Sequence, residues 1–274
     1  MPFRAVQSAD LHLHTRFSPD SAEEMDSYCE RAVARGIGAL CFTDHEDFHE
    51  SSLGVYDPEA YFAELERLRE KYAGRLLLLS GLEFSEPHLH QKEFELARKR
   101  PYDFIMGSVH YWMGGIFTSE MLERGLELQT CWEEYWNHVL RMAEYGGFDC
   151  VGHLDFPKRY LPALPPEPER LDEIFAAMRR GGMVLELNSS SLRRGVSSEA
   201  MPGPALLERY IACGGKYVTL GSDAHEAGDF YADVPLLREQ ALAMGLEEVY
   251  FVQREMRVMK GASGGLSEDH KSLL

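Results

Sequence analysis

Nine residues able to bind metal recur in short motifs along the chain: His12, His14, Asp20, His45, Glu83, His110, His153, Asp223 and His225. The densest motifs are Asp10-Leu11-His12-Leu13-His14 and Gly221-Ser222-Asp223-Ala224-His225. Imidazoles and carboxylates without cysteine suit Zn, Mn or Fe. So many donors describe a multinuclear centre. Divalent ions lower the pKa of bound water and clamp anionic oxygens, so the chemistry to expect is hydrolysis. A structural metal site is usually a closed shell of few ligands, whereas donors shared among many motifs describe an open, catalytic one.

Each motif follows an apolar, strand-like run. Such runs lie at 6–11, 38–43, 75–82, 102–107, 148–152, 183–187 and 216–220, with a weaker eighth at 249–252. They are short and rich in Val, Ile, Leu and Phe, as parallel strands covered on both faces are. Helices with readable ends separate them. Ser21-Ala22-Glu23-Glu24 reads as a capping box, and Gly36 as the stop of the helix it opens. Asp57-Pro58 supplies an N-cap and a first-turn proline ahead of Tyr61, Leu65 and Leu68. Further helices are expected over 130–145, 168–180, 204–213 and 235–244, each closed by glycine. About seven strand–helix units, with no dinucleotide fingerprint and no phosphate loop, predict an α/β barrel. Barrel active sites form at the C-terminal ends of the strands, and six of the eleven histidines fall there. The loops 111–129 and 156–168 should overhang the mouth. One barrel domain is expected over 1–260, with a polar, loose tail over 261–274.

The 274 residues are 45% hydrophobic, enough for one large core. No apolar run approaches the roughly 20 residues of a membrane helix, and no signal-peptide pattern opens the chain. Cys29, Cys41, Cys131, Cys150 and Cys213 are odd in number and scattered, which fits a reduced, cytoplasmic setting. A net charge of −17 argues against nucleic acid as a partner. Bound divalent ions would add positive charge at the site alone, so an anionic small-molecule substrate remains compatible.

The ordered series Asp10-x-His12-x-His14, Thr43-Asp44-His45, Gly81-x-Glu83, Ser108-Val109-His110, Gly152-His153 and Gly221-Ser222-Asp223-Ala224-His225 resembles the PHP (polymerase and histidinol phosphatase) superfamily. The segments 14–21, 108–111 and 152–159, Leu185-Glu186-Leu187-Asn188 and Leu192-Arg193-Arg194 are similar to its histidinol-phosphate phosphatase branch. The resemblance implies a distorted TIM-like (β/α)7 barrel and two or three divalent ions. One ion would be held by His12, His14, Glu83 and Asp223. A second would be held by Glu83 as a bridge, His110 and His153, and a third by Asp20, His45 and His225. Many members carry histidine where this chain has Asp20. The implied reaction is hydrolysis of L-histidinol phosphate to L-histidinol and phosphate, in histidine biosynthesis, by a metal-bridging hydroxide. Arg159 and Arg193 resemble the family's phosphate-binding arginines, whose forks match phosphate oxygens. A leaving alkoxide calls for a general acid, with Asp155, His88 or a metal-bound water as candidates. By placement alone, Glu46, Asp47, Glu86 and Asp155 could meet the substrate's ammonium and imidazole. Asp10 could fix a histidine tautomer from behind.

Three other readings compete. One is a PHP phosphoesterase acting on another phosphomonoester such as a nucleotide. Another is an amidohydrolase, which typically needs a modified lysine that the strand end at 107–110 lacks. The last is a non-enzymatic metal-binding protein.

Overall fold

A computed structural model describes residues 6–50, 52–193 and 198–259. The expected tail, 261–274, lies outside the described residues, as does Arg194. The seven apolar runs form parallel strands that pair in chain order: β1 (Ala9–Leu13), β2 (Ala39–Phe42), β3 (Leu77–Ser85), β4 (Phe104–Ser108), β5 (Cys150–Val151), β6 (Val184–Asn188) and β7 (Tyr217–Gly221). Beyond β7, β8 (Glu247–Val252) pairs in parallel and β9 (Glu255–Val258) folds back antiparallel on β8. Among the described residues no ladder joins β1 to β7. The ring is drawn together just past the strand ends, where Leu13 bridges Ala224. There the His14 N–H donates to the Ala224 carbonyl at 2.9 Å, and the Asp223 N–H donates to that of His12 at 2.9 Å. This is the distortion of the barrel, and it presses the first and last motifs together. Gly221 permits it, since a Cβ there would lie 2.4 Å from His12 Cβ.

Alternation along the strands separates two cores. Leu78 and Leu82 of β3, Ile105 of β4, and Leu185 and Leu187 of β6 pack outward in the large apolar cluster that also holds residues of the helices. Leu77 and Leu79, Phe104 and Met106, and Val184 belong to a smaller cluster with Val249 and Phe251 of β8. On that inner face β3 reads Leu77, Leu79, Gly81, Glu83, and β6 reads Val184, Glu186, Asn188. The inner face is therefore apolar at the N-terminal ends of the strands and polar at the C-terminal ends.

The helices are α1 (Met25–Arg35), α2 (Pro58–Lys71), α3 (Gln91–Ala97), α4 (Leu128–Tyr145), α5 (Pro168–Gly181), α6 (Pro204–Ala212) and α7 (Val234–Ala243). The Asp57 cap forms, its carboxylate accepting the Glu59 and Ala60 N–H groups at 3.0 and 3.1 Å. Gly36 ends α1 in the left-handed conformation, φ +70. The capping box at Ser21 does not form. Glu24 is the N-cap of α1, and the Ser21 hydroxyl donates instead to the His225 carbonyl at 2.7 Å. The first strand starts at Ala9 rather than at residue 6, because Ala9 is where its pairing with Ala39 begins. Helix α3 and the hairpin of Tyr111–Trp112 with Ile116–Phe117 are additions to the sequence reading. Both lie in loops at the C-terminal ends of the strands.

Candidate metal centre

All nine predicted donors converge at the C-terminal ends of β1 to β7, with Glu83 at the centre. Its side chain is fully buried. Oε2 lies 3.2 Å from His12 Nε2, 3.4 Å from His14 Nε2 and 3.0 Å from His45 Nδ1. Oε1 lies 2.8 Å from His153 Nε2 and 3.3 Å from His110 Nε2. The two oxygens thus face two separate sets of imidazoles, the arrangement a bridging carboxylate needs. Asp223 Oδ1 is 3.4 Å from His14 Nε2 and 3.5 Å from His225 Nδ1. At the mouth, Asp20 Oδ2 is 3.0 Å from His225 Nε2 and 3.6 Å from His45 Nε2. The His14 ring stacks against both His45 and His225, with centroids 4.1 and 4.2 Å apart.

Among the described residues, four groups bring their ligand atoms within 4.8 Å of one another: His12/His14/Glu83, His12/His153/Asp223, His45/Glu83/His110 and His14/His45/His225. The partition differs in detail from the one implied by resemblance, since His45 reaches Glu83 as well as Asp20. The donor set fits several divalent ions. The His12 and His14 Nε2 atoms are only 2.9 Å apart, and those of His110 and His153 only 3.3 Å. Lone pairs that close repel unless a proton or a cation stands between them. Burial alone would raise the Glu83 carboxyl, but the charges of His12, His45, His110 and His153 outweigh it and hold the group well below the carboxylate range. Burial, with His45 and His225 nearby, drives His14 well below the usual imidazole range, so it stays neutral and keeps a lone pair. Asp20 is the peripheral donor, its side chain 54% exposed. Asp20→Ala is expected to lower the metal content by one ion while leaving the inner ions in place, as elemental analysis after dialysis would show.

Behind the donors stands a buried residue that the sequence reading did not place in the site. Glu186 Oε1 accepts from His12 Nδ1 at 2.6 Å, and its Oε2 accepts the His153 N–H at 2.7 Å. It therefore fixes the His12 tautomer with Nε2 facing the centre and holds the backbone of a second donor. Asp10, expected in that role, instead accepts the Ser222 and Tyr231 N–H groups at 2.9 and 3.0 Å. The signal for Glu186 was available, since it sits two residues after Val184 and two before Asn188 on the inward face. Ser18 and Ser85 support His14 and His110 in the same way, at 3.2 and 2.8 Å from their Nδ1 atoms. Glu186→Gln is expected to weaken metal affinity by about 10–100-fold, the usual cost of losing such a support. A competitive chelator titration measures it, and an unchanged affinity would refute the role.

A cleft of about 450 Å³ opens over the centre. Tyr111, Phe117, Glu120, Phe156 and Tyr160 wall it, and both long loops contribute as expected. Arg159 lines it too. Its NH2 group donates to Asp223 Oδ2 and Ser190 Oγ, and its guanidinium lies 4.9 Å over the Phe156 ring. Arg193 is not brought to the cleft. It donates to the Ser222 carbonyl at 2.6 Å, Ser189 Oγ at 3.0 Å and the Ala232 carbonyl at 3.3 Å, so loop backbone takes the fork expected to hold phosphate.

The two side chains considered as general acids are also elsewhere. Asp155 pairs with Lys158 at 2.8 Å and accepts the Gly203 N–H at 3.1 Å. His88 Nε2 lies 2.9 Å from His138 Nδ1, and burial, with His138 and Arg141 nearby, lowers it to about 3. Of the acids expected near the substrate, Asp47 lines the cleft. Glu46 pairs with Arg100 at 3.0 Å, and Glu86 lines a neighbouring cavity.

Parallel strands that deliver imidazoles and carboxylates to one open cleft define a class, the metal-dependent hydrolases built on an α/β barrel. The PHP domain profile matches residues 10–190, and the chain belongs to that family. It is 32% identical over 238 residues to the "Probable histidinol-phosphatase" of Deinococcus radiodurans, covering 80% of this chain and 87% of that one. It is 28% identical over 258 residues to the histidinol-phosphatase of Lactococcus lactis, covering 89% and 94%. A crystal structure of histidinol phosphate phosphatase from Lactococcus lactis, complexed with Zn, L-histidinol and phosphate, superposes with a TM-score of 0.76. That match has 24% identity and covers 92% of this chain and 99% of that one.

Proposed function

We propose that this protein hydrolyses L-histidinol phosphate to L-histidinol and phosphate, a reaction of histidine biosynthesis. The observation that carries the reading is the placement of Arg159 against Asp223 in the same cleft where Glu83 faces two imidazole sets. The named relatives supply the substrate. His12, His14, Glu83 and Asp223 would hold one ion, Glu83, His110 and His153 another, and Asp20, His45 and His225 a third. When bound, such ions supply Lewis acidity and an activated water.

The chain's own residues do the rest. Arg159 presents a guanidinium edge to phosphate oxygens, and Asp223 and Ser190 orient it. Phe117, Phe156 and Tyr160 pack edge-on with centroids 5.6 to 6.1 Å apart, an apolar wall that keeps water from the ester and offers faces to an imidazole. Asp47 and Glu120, also in the lining, put negative charge where an ammonium would lie. No described helix is long and apolar enough to cross a membrane. The five free cysteines, four of them buried, support a cytoplasmic setting.

The test is phosphate release by the metal-reconstituted protein, comparing L-histidinol phosphate with a nucleoside monophosphate and p-nitrophenyl phosphate. The expected result is a kcat/KM for histidinol phosphate at least about tenfold above the others, the least that added polar contacts should give. Equal or better hydrolysis of the nucleotide would move the assignment to a different phosphomonoester.

A further inference from the structure

A second cavity, of about 370 Å³, lies beside the metal cleft. The two share one wall, the pair His49 and Tyr111, whose rings stack 4.5 Å apart and 6° from parallel. The cavity is lined by Phe48, Leu89, His90, Trp112 and His138, and by one deeply buried carboxylate, Glu86, which is 2% exposed. Among the described residues, no lysine or arginine is in the lining.

Glu86 is held in place with unusual care. Its φ of +48 is a left-handed conformation that non-glycine residues seldom adopt and that costs on the order of 1 kcal/mol or more. Its Oε1 accepts the His110 N–H at 2.5 Å and the Tyr111 N–H at 2.9 Å. Both of these N–H groups go to Oε1, which leaves Oε2 to the cavity that Glu86 lines. A carboxylate oxygen that faces a cavity favours a positive or hydrogen-bonding partner there. The surrounding rings offer π faces, which also favour a cation.

We propose that this cavity is a second ligand site, selective for a small organic cation that carries a protonated amine next to a flat apolar group. The ammonium would donate to Glu86 Oε2, and the flat group would lie among Phe48, Tyr111 and Trp112. Occupancy would be felt in the metal cleft, because Glu86 holds the backbone of His110, a donor of the centre. The site does not depend on which phosphoester the enzyme hydrolyses.

The probe is benzylammonium, which cannot chelate the metals. It is titrated calorimetrically into metal-loaded protein with inorganic phosphate present to occupy the cleft. Saturable binding that persists with phosphate is expected. Glu86→Gln should weaken it about tenfold or more, as loss of a charge-assisted bond does. Glutamine keeps an oxygen for the two N–H groups, so the loop should hold. Leu89→Trp, at a half-exposed rim position, should abolish binding by filling the cavity, with metal content and thermal unfolding preserved as controls on folding. The proposal is overturned if the probe does not bind at millimolar concentration, if phosphate competes with it, or if neither substitution changes its affinity.

Discussion

Replacing Glu83 with glutamine is expected to cost the protein its metal centre rather than one ligand. Glu83 Oε2 lies within 3.4 Å of three imidazole nitrogens and Oε1 within 3.3 Å of two more. A neutral amide offers one acceptor oxygen and an NH2 group that no cation will accept as a ligand. It also removes a negative charge that would balance the bound cations in a fully buried position, where Coulomb terms are least screened. The expected loss in kcat/KM is on the order of 10³-fold or more, beyond the 10–100-fold typical of a residue that only supports a ligand. Elemental analysis should find fewer than half the wild-type ions. If the variant keeps its full metal content and turns over within about tenfold of wild type, Glu83 does not bridge.

The same residue shows why so much of the site was legible. Along β3 the inward positions are Leu77, Leu79, Gly81 and Glu83, so a strand period of two carries the alternation from the apolar core to the open end. Once the strands are read as parallel, every donor at a strand end must point into the same space. Glu186 obeys the same rule and could have been found by following β6 inward. Asp10 looked equivalent on the strand period, but it reaches the backbone that follows β7. What could not be read is set by chain path rather than period. Arg159 and Arg193 both lie on loops, and only the turn at Phe156–Arg159 aims its arginine at Asp223. His88 and His138 are fifty residues apart and meet only because α4 passes the loop before α3. Ser21 has the spacing of a capping box, yet it is claimed by the carbonyls of His14 and His225.

The divergence of the two arginines makes a prediction in which their variants behave oppositely. Arg159→Ala is expected to lower kcat/KM by about 10²–10³-fold, the usual loss when one preorganised donor to a developing charge is removed. Inhibition by inorganic phosphate should weaken in parallel, because ground-state phosphate would use the same guanidinium. Arg159→Lys should recover only part of this, since an ammonium is a point charge without the fork. Arg193→Ala should instead leave kinetics near wild type. It should lower stability by about 1–3 kcal/mol, because the Ser222 and Ala232 carbonyls lose a charged donor. Steady-state kinetics, phosphate inhibition and thermal unfolding of the three variants separate the roles. Metal content separates one more. Arg159 touches Asp223, so its loss could act on the ions and not on the phosphate. If Arg159→Ala sheds metal while phosphate inhibition of the remaining holoenzyme is unchanged, the arginine serves Asp223 alone, and the phosphate must be held by other groups of the cleft.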